Sequence, residues 1–169
     1  MISTALALTL LLTTPAARSA AGQLELVACA PWWPGTTEEA QHTMDALASA
    51  LARSAGLREG SLSGVYLPAE QDGLARLGKP AAAIALVPLP FFAKYRTDLE
   101  LEPRLAVVPE GGEPSGDVWT LVAERGRVTS PAALAGFTLV SSAGYAPGFV
   151  RGILSSWGEL PADVRIMAS

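Results

Sequence analysis

From Gln23 onward the chain alternates short apolar runs with segments of helical period. Leu24, Leu26 and Ala28 fall on one face of a period-two stretch, which predicts a strand over Gln23–Ala28. A loop, "APWWPGTT", follows. Thr36 and Glu39 have the spacing of a capping box. Ala40, Met44, Leu47, Ala48 and Leu51 then mark the apolar stripe of a helix that runs to about Ser54 and stops at Gly56. Val65–Leu67 predicts a second strand, and Pro68 opens a second helix carrying Leu74 and Leu77. "AAAIALV", Ala81 to Val87, is a continuous apolar run between Pro80 and Pro88, which predicts a strand buried on both faces. "PLPFFAKY" predicts a tight turn into a short helix with Phe91, Phe92 and Tyr95, and Leu105–Val108 predicts a fourth strand. Strand and helix in strict alternation predict a parallel sheet with helices on its faces.

Pro109–Asp117, "PEGGEPSGD", interrupts this pattern. A second series follows: a strand from Val118 to Ala123, a short helix capped by Ser130-Pro131 and ended by Gly136, and a strand over Thr138–Val140. Phe149, Val150, Ile153, Leu154 and Trp157 then line a helix, and Val164–Met167 begins a last strand. The fold class expected is α/β, a three-layer parallel-sheet lobe over residues 22–116 followed by an incomplete second α/β lobe over 117–169. No internal repeat is present.

The segment before Gln23 has a different character. Met1–Thr14 is almost purely apolar, Pro15 follows, and small residues cluster in "PAARSAAG". This reads as a secretory signal over residues 1–21, cut after Ala21, with Ser19 and Ala21 at the small-residue positions. The run is shorter than the roughly 18 apolar residues that argue for a membrane span, and Arg18 ends it. The expectation is export to the periplasm or outside the cell, with no stable membrane insertion after cleavage. Leu26-Val27-Ala28-Cys29 has the shape of a lipidation box, but Arg18, Gln23 and Glu25 separate it from the apolar run. Cys29 therefore reads as a buried small residue ending the first strand, with a lipoprotein as the lesser reading.

Composition narrows the function classes. The 169 residues are 50% hydrophobic, which is ample for a core, and carry 12 basic against 16 acidic side chains without a basic cluster. Nucleic acid is therefore not an expected partner. One cysteine and one histidine, His42, exclude an internal disulfide and the multi-cysteine and paired-histidine metal sites, so no metal or cofactor is expected. His42 sits one step off the apolar stripe and reads as a surface residue. Neither G-x-x-x-x-G-K-[ST], G-x-G-x-x-G nor G-x-S-x-G occurs. Without paired carboxylates or an activated nucleophile in view, the reading is a binding protein, not an enzyme.

One junction carries candidate chemistry. In "LVSSAGYAPGFV", Leu139–Val150, an apolar strand meets Ser141, Ser142, Gly144 and Tyr145 before a helix begins. A helix N-terminus offers free N–H groups and the positive end of the macrodipole. Surrounded by hydroxyls, with a glycine for close approach, it can hold an anion. The same residues also make an ordinary strand-to-helix turn.

Ser130-Pro131-Ala132-Ala133-Leu134-Ala135-Gly136, a strand and then Ser-Ser-Ala-Gly-Tyr resemble the second lobe of the phosphate/phosphonate-type periplasmic substrate-binding proteins of ABC transporters. The first lobe is similar too, with a strand, an "AP-x-x-PG" loop, a long helix and an apolar strand ending in Val87-Pro88. The resemblance runs from about Leu24 to Ser169. It implies a type II periplasmic-binding-protein-like fold, a small oxyanion ligand such as phosphate or phosphonate held between two lobes, and a transporter permease as partner of the full-length protein. Leu134-Ala135-Gly136 stands where the family often has Leu-Lys-Gly. The family's chain also crosses back to finish its first lobe, so this chain is expected to be an N-terminal part. Ligands of open parallel sheets sit beyond the carboxyl ends of strands, which selects three loops. Trp32 and Trp33 would supply an aromatic wall with the Thr36 hydroxyl, Pro88 a rigid rim, and Ser141, Ser142, Gly144 and Tyr145 the oxyanion grip. Thr120 would lie near the crossover, where a core strand is the alternative. With no lysine or arginine evident in this cleft, N–H dipoles would hold the charge. A ligand-sensing receptor domain of the same fold, or a non-binding remnant, are the alternative functions.

Overall fold

The computed structural model describes residues 23–32, 35–105 and 119–169. They form an α/β arrangement with parallel sheets. The expected signal segment, Leu105–Val108 beyond its first residue, and the Pro109–Asp117 boundary lie outside the described residues.

The first sheet has the order β2–β1–β3, with β1 Leu24–Cys29 in the centre, β2 Leu62–Leu67 and β3 Ala82–Leu86, all parallel. Leu26, Val27, Ala28 and Cys29 are buried because β1 has a strand on each side and helices over its faces. Helix α1, Thr37–Ser54, begins as its capping box predicts. Thr36 Oγ1 accepts from Glu39 N at 3.2 Å and donates to Glu39 Oε2 at 2.8 Å. It ends in a Schellman motif: Gly56 takes φ +66°, Gly56 N donates to Arg53 O and Leu57 N to Ala52 O. Its buried face, Met44, Ala48 and Ala52, packs on Leu26, Ala28 and Leu62. Helix α2, Glu70–Leu77, is tied to β1 by a two-pronged Arg76–Glu25 ion pair, with Arg76 Nε 2.7 Å from Glu25 Oε2. Helix α3, Leu89–Tyr95, follows Pro88.

The Ala81–Val87 expectation requires correction. Strand β3 is not buried on both faces. Among the described residues its ladder partner is β1, and Ala83 and Ile84 are exposed, Ile84 at 43%. A continuous apolar run reports low polarity on both faces, not that each face is covered by another element.

The second unit is smaller. A 3-10 turn, Pro131–Leu134, leads through Gly136 (φ +75°) into β4, Thr138–Ser141. Helix α4, Pro147–Leu154, connects to β5, Arg165–Ala168, which pairs with β4 in parallel. Leu139 and Ile166 face a core of Leu134, Leu160 and Val164, with Leu154 of α4 beside them. The alternate residues Val140 and Met167, opposite one another in the register, are 64% and 54% exposed. Arg151 secures α4 by donating to the carbonyls of Pro161 at 3.2 Å and Val164 at 2.7 Å. The predicted strand Val118–Ala123 is a second correction: residues 119–123 are not in a strand, and β4 pairs with β5 instead. Val122 is exposed in this segment, so its apolar pattern is not matched by a sheet face.

Candidate functional site

Ser141 is the last residue of β4, so the serines do stand at the carboxyl end of a parallel strand. The turn is fixed from within. Ser141 Oγ accepts from Ala143 N at 3.1 Å, Gly144 N donates to Ser141 O at 2.8 Å, and Ala146 N donates to Ala143 O at 2.9 Å. The Ser141 hydroxyl keeps its own proton free to donate. Ser142 is exposed, and its hydroxyl has no hydrogen-bond partner among the described residues. Gly144 is buried against β5: a Cβ there would fall 2.0 Å from Met167 O, so only glycine lets the turn lie on the strand end.

The helix starts after the turn, at the proline, where the sequence places it. Its N-cap is Ala146, without a side-chain cap bond, and Pro147 is the first helical residue. The serine hydroxyls therefore precede the helix instead of capping it. Gly148 is the first amide of α4 that proline does not remove.

Tyr145 turns away from the serines. Its ring packs beside Cys29, Phe91 and Tyr95, at the carboxyl end of β1 and under α3. Its phenol oxygen is buried without a hydrogen-bond partner. Burial, with Cys29 and Glu70 nearby, holds its pKa well above the usual tyrosine range. The Tyr145 carbonyl accepts from Lys94 Nζ at 2.6 Å. Lys94 belongs to the short helix predicted from "PLPFFAKY", and the packing of α3 against α4 brings it to the turn.

None of the other expected residues hydrogen-bonds to this turn among the described residues. Trp32 is exposed, with a left-handed φ of +65°, two positions beyond half-buried Ala30, whose N–H donates to Leu67 O. Trp33 lies outside the described residues. The Thr36 hydroxyl is occupied at both ends by the capping box. Pro88, half-buried, is the N-cap of α3, the helix that carries Phe91 and Lys94. Thr120 is exposed, next to Trp119, whose ring meets Phe149 of α4 edge-on at 5.7 Å. An open groove of about 630 Å³ lies at the other end of α4, lined by Trp119, Leu121, Val128, Ile153, Leu154 and Trp157.

Cys29 is fully buried at the end of β1. Its thiol is 3.8 Å from Ala69 O, and a Cβ on Gly73 of α2 would fall 2.0 Å from its sulfur. Burial first, then the acids Glu70 and Asp72, push its pKa from 9.0 up to about 12. Because the folded value is raised, the fold favours the protonated thiol. This contribution to stability is complete below pH 9.0 and is lost as pH rises towards about 12. Cys29 in native protein is expected to resist a thiol-labelling reagent at pH 8 and to react only on unfolding. Rapid stoichiometric labelling of the folded chain would refute this placement.

No helix among the described residues is long and apolar enough to cross a membrane, and no cluster of potential metal ligands occurs among them. In comparisons with known proteins, the chain matches no family model, no curated protein and no solved structure.

Proposed function

We propose that this chain is an extracytoplasmic solute-binding protein of an ABC transporter, or an N-terminal part of one, and that it captures a small oxyanion-bearing ligand. The finer fold reading that goes with it is the type II periplasmic-binding-protein arrangement of two α/β lobes. The observation that carries the proposal is the turn at the carboxyl end of β4. There, Ser141 and Ser142 have hydroxyl protons free to donate, Gly144 lets the turn lie against β5, and Gly148 N is without a backbone partner in the first turn of α4, whose next amides, Phe149 N and Val150 N, donate to Ala146 O. Ligands of open parallel sheets collect at such strand ends, and neutral donors with a helix N-terminus suit phosphate, phosphonate, sulfonate or carboxylate. Pro88 and Trp32 rise from the corresponding ends of β3 and β1 in the first unit and would form the facing wall. Export through the Met1–Ala21 segment belongs to the same proposal.

A thermal-shift screen against phosphate, methylphosphonate, sulfate and acetate tests it, followed by calorimetry on Ser142→Ala. This substitution is the cleaner one, since the Ser141 hydroxyl also supports the turn. Loss of one charge-assisted hydrogen bond is expected to weaken binding by about 1.5–3 kcal/mol. Unchanged affinity in Ser142→Ala, or no shift with any of the four anions, removes the oxyanion reading. An intact Met1 terminus by mass spectrometry after expression in a Gram-negative host removes the export reading.

A further inference from the structure

Lys94 joins parts of the chain that no sequence motif links. From the last turn of α3 its ammonium donates to Glu70 Oε1 at 2.6 Å, on α2, and to the Tyr145 carbonyl at 2.6 Å, on the turn after β4. Tyr95 Oη donates to the same Glu70 oxygen at 2.8 Å. The ammonium also stands 5.0 Å from the Tyr95 ring centroid and 5.9 Å from that of Tyr145. A lysine side chain loses much rotamer freedom when held in one place. Here Glu70 and the two rings restrict it already, so its bond to the Tyr145 carbonyl costs little further ordering. That bond is charge-assisted and so stronger than an ordinary amide contact.

The turn needs such a hold. Its internal hydrogen bonds fix its shape but not its position relative to the first sheet. Beside the packing of α3 on α4, position comes from two contacts made by one residue: the Tyr145 ring inserted beside Phe91 and Cys29, and the Tyr145 carbonyl held by Lys94. Gly144 is the immediate neighbour of that anchored point, and Ser142 stands three residues before it.

We propose that Lys94 is a positioning residue for the Ser141–Ala146 turn, and that its link to the Tyr145 carbonyl sets where the serine donors stand against the first unit. The functional part of this rests on the oxyanion reading above. Because Glu70 shares the ammonium, Lys94 acts through the turn and not as the ligand's counter-ion.

Amide hydrogen exchange on the full chain tests the anchor without any ligand, comparing wild type with Lys94→Met and Lys94→Arg. In Lys94→Met the amides of Ala143, Gly144 and Ala146 are expected to exchange at least about tenfold faster, with Val27 and Ala28 of β1 unchanged. Lys94→Arg, which keeps a cationic donor, is expected to restore most of the protection. Unchanged exchange of the turn in Lys94→Met overturns the inference. So does a loss shared equally with β1, or a loss that arginine does not repair, since either marks a general packing role. Titration with inorganic phosphate is the second arm: Lys94→Met is expected to bind at least about fivefold more weakly, and Lys94→Arg near the wild-type level. If wild type binds none of the screened anions while the exchange pattern holds, the oxyanion reading fails and the anchor stands.

Discussion

Replacing Phe91 with alanine is expected to lower the unfolding free energy by about 3–5 kcal/mol. The side chain is fully buried, and its ring lies 4.9 Å from that of Tyr95 at a tilt of 52°. It packs in one cluster with Cys29 of β1, Leu74 and Leu77 of α2, Leu99, and Tyr145 of the second unit. Truncation would therefore remove contacts from the sheet, two helices and the turn at once. The backbone around it cannot collapse easily, because Pro90 precedes it and the end of β1 lies beneath. Domains of this size are stable by about 5–15 kcal/mol, so the loss is a large fraction of the total. Chemical denaturation followed by tryptophan fluorescence would measure it. A loss below about 1 kcal/mol would mean that the cluster is not a core. Phe91→Leu, which keeps most of the volume, is expected to recover most of the stability.

The same residue shows how far the sequence could be read. Phe91 and Tyr95 on a short helix after Pro88 were legible from local pattern, as were the α1 capping box, its stop at Gly56 and the strand–helix alternation that makes the sheet parallel. These signals act over a few residues, and local chemistry decides them. Register and strand order are non-local. "AAAIALV" looked buried on both faces because nothing polar interrupts it, yet Ala83 and Ile84 are exposed. Val118–Ala123 looked like a strand, but a strand exists only where another can pair with it. The candidate site divides in the same way. Ser141, Ser142 and Gly144 were found from their position after an apolar strand. The inward turn of Tyr145 and the approach of Lys94 depend on α3 meeting α4, across a separation of 51 residues between Lys94 and Tyr145. Capping chemistry also competes with ligand chemistry: the Thr36 hydroxyl that could have faced a cleft is used at both ends by Glu39.

Gly64→Ala is expected to destabilise the first unit by about 3 kcal/mol, near the upper end of ordinary overpacking. Gly64 lies on β2 directly beneath α1. A Cβ there would fall 2.5 Å from both the carbonyl carbon and oxygen of Met44 and 2.8 Å from Asp45 N. These are backbone atoms of a regular helix, so no side-chain rotation relieves the contact and α1 must lift off the sheet. Lifting it separates Met44 and Ala48 from Leu26 and Leu62, which form the core of this unit. It also breaks a polar seal on the sheet. Gln41 of α1 donates through Nε2 to Gly64 O at 3.0 Å and accepts at Oε1 from Tyr66 N at 2.8 Å. Its amide thus satisfies backbone groups of β2 that would otherwise be open at the sheet edge. The two effects can be separated. Gln41→Met is expected to speed exchange of the Tyr66 amide while costing about 1–2 kcal/mol, because it leaves the two groups unpaired without moving the helix. Gly64→Ala is expected to speed exchange at Tyr66 and also to expose the Met44 and Ala48 region. If Gly64→Ala unfolds at the wild-type denaturant midpoint, α1 does not lie on β2 at this distance, and the packing of the first unit described here is wrong.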